Sequence, residues 1–161
     1  MCSDGYTLTD TPASSLDEME REWLHLVRLQ CTSYEHNQAE GLDRAIDHAE
    51  HRYGADIGPE MACRIAVLIR AMRAERQGGF GYLSPYCPNC SRRVTEDEWH
   101  LILLMQAGYR GVPSDIDEAA AEFARRAEAP ALVAAARRFG STAVAAVPSR
   151  RSRITASASL H

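Results

Sequence analysis

Apolar residues return at intervals of three and four through most of this chain, and no strand-length stretch alternates apolar with polar. Leu16, Met19, Trp23 and Val27 form one such strip, and Leu24, Val27, Cys31 and Tyr34 form a second beside it. They predict a first helix from about Leu16 to Tyr34, with Ser15 and Glu18 at capping-box spacing. Ala39, Leu42, Ile46, Ala49 and Tyr53 line one face of a second helix, from about Gln38 to Tyr53, opened by Asn37 and Glu40 and closed by Gly54.

The third and fourth helices are apolar over most of their circumference, which marks them as central. Gly58-Pro59 opens the third, and Met61, Ile65, Val67, Leu68, Ile69 and Met72 fill it until Gly78-Gly79. Thr95-Glu96-Asp97-Glu98 opens the fourth with a further capping box, and Trp99 to Met105 carries it to an expected end at Gly108. An alanine-rich fifth helix is expected from Ser114 to about Ala127, and a short sixth from Pro130 to near Gly140. The pattern therefore predicts an all-α fold, a compact bundle of five to six helices. Residues 1–14 read as a disordered leader, 15–140 as one helical domain and 141–161 as a flexible tail.

One stretch escapes the helical pattern. Gln77 to Val94, QGGFGYLSPYCPNCSRRV, is a long cysteine-containing loop between helices three and four. A connection of that length in a compact domain needs something to fix it. Cys87-Pro88-Asn89-Cys90 at its centre has the spacing of a zinc knuckle, in which a tight turn aims two sulfurs at one point. Structural zinc takes four ligands, so two more must come from elsewhere.

Helix direction narrows the choice. In an up-down-up bundle the first helix ends where the third ends and the fourth begins. Cys31, His36 and His100 lie at that end. Cys63 lies at the start of the third helix, roughly 28 Å away at 1.5 Å per residue. The expected site is a structural zinc held by Cys87, Cys90 and Cys31 with His36 or His100. A different helix order would bring Cys63 back and allow a four-cysteine zinc or iron–sulfur site.

Composition limits the function classes. The 161 residues include 18 basic ones, all arginine, and 22 acids. Residues 1–62 carry 13 acids against 4 arginines, whereas residues 63–110 carry 4 acids against 7 arginines. An acidic first third argues against phosphate-backbone binding by the whole domain. The helix after Ser114 opens with Asp115, Asp117 and Glu118, which would repel DNA at the end a recognition helix presents. Asp47 and His51 sit one turn apart on the polar face of the second helix, where solvation is the ordinary role. No phosphate loop, nucleophile elbow or triad spacing is present.

No signal-peptide pattern or membrane-length apolar run is visible, so a cytoplasmic location with reduced thiols is expected. The reading that follows is a small zinc-stabilised binding protein, favoured over an enzyme, working in regulation or assembly through a macromolecular partner. A protein partner suits the charge pattern better than a nucleic acid. The competing class is a thiol redox protein or iron–sulfur sensor using Cys87 and Cys90.

Overall fold

The computed structural model describes residues 7–147. They form a helical bundle: α1 Glu18–His36, α2 Glu40–Tyr53, α3 Gly58–Glu75, α4 Glu96–Arg110, α5 Pro113–Ala124 and α6 Pro130–Ala146. The long connection lies between α3 and α4, as the pattern required. Met61, Ile65, Leu68 and Ile69 of α3 and Leu101, Ile102, Leu104 and Met105 of α4 are each no more than 1% exposed. The two helices read as apolar all round are the buried ones.

α4 and α6 cross at two glycines. A Cβ built on Gly140 would lie 1.9 Å from the Gly108 carbonyl oxygen, and one on Gly108 would lie 2.3 Å from that of Ala136. Neither glycine ends a helix. Both are interior, and their missing side chains let the two backbones touch. α4 ends instead at Gly111, which takes the left-handed conformation with φ 73°. α6 runs on to Ala146, so residues 141–146 of the expected tail are helical and Thr142 and Ala143 are buried.

The amino-terminal segment also differs from expectation. Leu8–Pro12 forms β1 and pairs antiparallel with β2, Arg93–Thr95. The five residues from Leu8 to Pro12 span the three from Arg93 to Thr95, so the pairing is irregular. The partner lies more than eighty residues away in sequence, and no local periodicity announces such a pairing. Residues 1–6 and 148–161, the rest of the expected leader and tail, lie outside the described residues.

Helix starts shift by small amounts with clear causes. Ser15 belongs to a short 3₁₀ turn, and Asp17 caps α1 in a true capping box with Glu20. Asn37 does not cap α2. It closes α1 in the left-handed conformation at φ 52°, a role asparagine tolerates well. Thr95 and Glu98 form the expected capping box of α4. Across the bundle, Glu75 at the end of α3 accepts from the amides of Ala131 and Leu132 at 2.9 Å, capping α6 in place of a local residue.

Candidate functional site at the loop end

The loop from Gln77 to Val94 is held by carboxylates. Glu98, fully buried in the first turn of α4, accepts from Arg28 Nε at 2.7 Å and Arg28 Nη2 at 2.8 Å. The same carboxylate accepts from the backbone amides of Leu83 at 3.0 Å and Thr95 at 2.9 Å. Arg28, 4% exposed, also donates to the Arg93 carbonyl at 2.7 Å. Thr95 Oγ1 accepts from the Glu98 amide at 3.0 Å and donates to the Gly81 carbonyl at 2.7 Å. A buried ion pair is tolerable only when its remaining donors and acceptors are met, and here the loop backbone meets them.

Asp97 makes the second pin. Its Oδ2 accepts from the Gly81 amide at 2.7 Å, and its Oδ1 pairs with Arg76, the residue after α3. Arg125, beyond α5, reaches the same oxygen at 3.3 Å. Neighbouring acids on one helix turn thus fix alternate residues of the loop, Gly81 and Leu83. Between them Tyr82 donates to Glu35 of α1, and burial together with that bond pushes its phenol well above the usual tyrosine range. Leu83 is buried at 7% exposure.

The expected end of the bundle does gather these parts. Arg73, near the end of α3, stacks over the Tyr34 ring of α1 at 5.3 Å, while Arg28 meets the start of α4. The named ligand candidates nevertheless have separate settings. Cys31 is buried in α1, and burial, reinforced by the negative charge of Glu98, pushes its thiol up to about 12. Cys90 is buried and disulfide-bonded, and Cys87 is not the other half of that bond. His36 is exposed as the last residue of α1. His100 points to α5, with Nε2 3.4 Å from Glu122. Cys63 is exposed near the start of α3. Among the described residues no group of three or more His, Cys, Asp or Glu side chains is placed to hold a metal ion.

A cleft of about 350 Å³ opens between the end of α1, the start of α2 and the loop. His36, Arg44, Ser84 and Tyr86 are among its lining residues, and Arg44 stacks over Tyr86 at 5.3 Å while pairing with Glu40 at 2.5 Å. Tyr86 is 51% exposed and Tyr34 is 40% exposed, high values for aromatic rings in a domain of this size. Comparison with protein-family models, curated proteins and solved structures finds no match to this chain.

The sequence pattern did not single out Arg28 or Glu98 as loop anchors. Two signals were available: an arginine inside the apolar sector of α1, and a capping-box glutamate with a second free oxygen. It also missed Glu22 and His25, which share a face of α1 at Glu-x-x-His spacing. His48 of α2 meets them: its Nε2 lies 2.6 Å from Glu22 Oε2, and its ring is 4.6 Å from that of His25. No described helix is long and apolar enough to cross a membrane.

Proposed function

We propose that this is a small helical binding protein whose working surface is the loop end of the bundle, and that it docks an acidic segment of a partner protein. The observation that carries the reading is the combination of a loop pinned from inside by Glu98 and Asp97 with exposed tyrosines and arginines outside. A fixed irregular segment can present side chains without the ordering cost that a mobile one incurs on binding. Tyrosine and arginine are the residues enriched where such contacts concentrate their energy.

Charge favours an acidic protein segment. Arg73, Arg92 and Arg93 are exposed, and none forms an ion pair with a described residue. Glu35, Glu40 and Asp43 lie at the same end and would repel a continuous phosphate backbone, while a peptide of mixed composition can avoid them. Zinc at Cys87 and Cys90 would be an added staple, and it would require the Cys90 disulfide to be reduced; metal analysis of purified protein decides it. The thiol-redox reading has the same requirement, since Cys90 must be freed before it can pair with Cys87.

Selection of random displayed peptides against the full chain tests the docking proposal. Enrichment of acidic peptides that lose binding to Arg73→Glu and Tyr86→Ala variants, both with unchanged helical circular dichroism, supports it. Enrichment of basic peptides, or binding insensitive to both substitutions, overturns it.

A further inference from the structure

Glu22 and His25 lie three residues apart on α1, and His48 reaches them from α2. His48 Nε2 bonds to Glu22 at 2.6 Å, and the His25 ring packs on the His48 ring at 4.6 Å with 60° between the planes. All three are partly buried in the seam between the helices. We propose that this trio is a proton-operated latch on the α1–α2 seam, closed by the His48–Glu22 bond and released by a proton on His25.

The bond between His48 and Glu22 ties α2 to α1. A proton on His25 places positive charge against the His48 ring, 4.6 Å away, with Glu22 offsetting it only in part. The charged groups that bear on His25 are His48 from α2 and Glu22 and Arg28 from α1. Burial, His48 and Arg28 all hold His25 below the ordinary histidine value of 6.5, and Glu22 opposes them only in part. The folded state therefore binds this proton less readily than the unfolded chain. Stability from a neutral His25 is full above 6.5 and is lost as the pH falls through the lower folded value.

What the latch releases is α2. Its first turns carry Glu40, Gly41 and Arg44, one wall of the cleft beside the loop. Loosening α2 on mild acidification would remodel that wall. The latch stands whether or not the cleft surface docks a partner.

The test is a histidine titration by nuclear magnetic resonance on the full chain, with amide exchange of residues 40–53 measured over the same pH range and normalised to intrinsic rates. His25 is expected to titrate below 6.5. As it charges, α2 protection should fall about tenfold, equivalent to about 1.4 kcal/mol. His25→Gln should abolish the fall. Should that variant not fold, His48→Gln, which removes the bond to Glu22, should leave α2 protection low and flat across the same range. Titration of His25 at or above 6.5, or α2 protection that falls equally without either histidine, overturns the proposal.

Discussion

Two regions of this molecule hold chain segments close by opposite means. Where α4 crosses α6, contact comes from absence: Gly108 and Gly140 bring backbone against backbone, and a Cβ on either meets an atom at 2.3 Å or less. At the loop end, contact comes from added polar groups, with Glu98 and Asp97 reaching out of α4 to hold backbone amides. The crossing depends on shape and tolerates no added volume. The loop depends on saturation, and it tolerates no orphaned partner. Close packing fails by overfilling, and a buried polar network fails when one member is removed.

The largest expected effect separates these modes at the crossing. Gly140→Leu should prevent native packing of α6 on α4, costing about 4 kcal/mol or more, because the contacts it would meet are backbone atoms that cannot swing aside. Urea unfolding measures it, and a loss under about 1 kcal/mol would show that the helices part without penalty.

Next comes the loop. Glu98→Leu should cost about 3–5 kcal/mol, since it leaves the Arg28 charge buried and unpaired. Adding Arg28→Met should recover part of that loss by removing the charge, while the amides of Leu83 and Thr95 stay orphaned. A double variant no more stable than Glu98→Leu would mean that the amides, not the arginine, carry the interaction. Smaller still is Thr95→Val, which removes the helix cap and the bond to Gly81 and should cost about 1–2 kcal/mol. Amide exchange at Gly81 and Leu83 should quicken in Thr95→Val and not in Gly140→Ala if the two regions hold independently; equal quickening in both would join them into one cooperative unit.

Legibility follows the same division. The central helices were readable because α3 and α4 carry apolar residues over most of their circumference, and a helix of that kind has to be central. The Thr95–Glu98 box was readable because capping is local, three residues end to end. The two glycines were visible but misread: a glycine near the expected end of a helix looks like a stop, and only a partner helix reveals it as a contact point. Arg28 and Glu98 are 70 residues apart, so nothing in either neighbourhood links them. The cysteine pair stands out because its spacing is local, yet Gly81 and Leu83 of the loop are held by Asp97 and Glu98, which lie beyond it in α4.

For this protein, then, the sequence alone determined the number and order of helices, which of them are central, and where the irregular connection falls. Those properties are short-range: periodicity, capping and turn chemistry act within a few residues. Only the tertiary structure decided that β1 pairs with β2, that Glu98 serves Arg28 and the loop at once, and that His48 meets Glu22 and His25. The Thr9–Val94, Arg28–Glu98 and Glu22–His48 bonds join groups 85, 70 and 26 residues apart. Their partners are chosen by which helix faces meet, a choice made by the packed core and recorded in no local stretch of the chain.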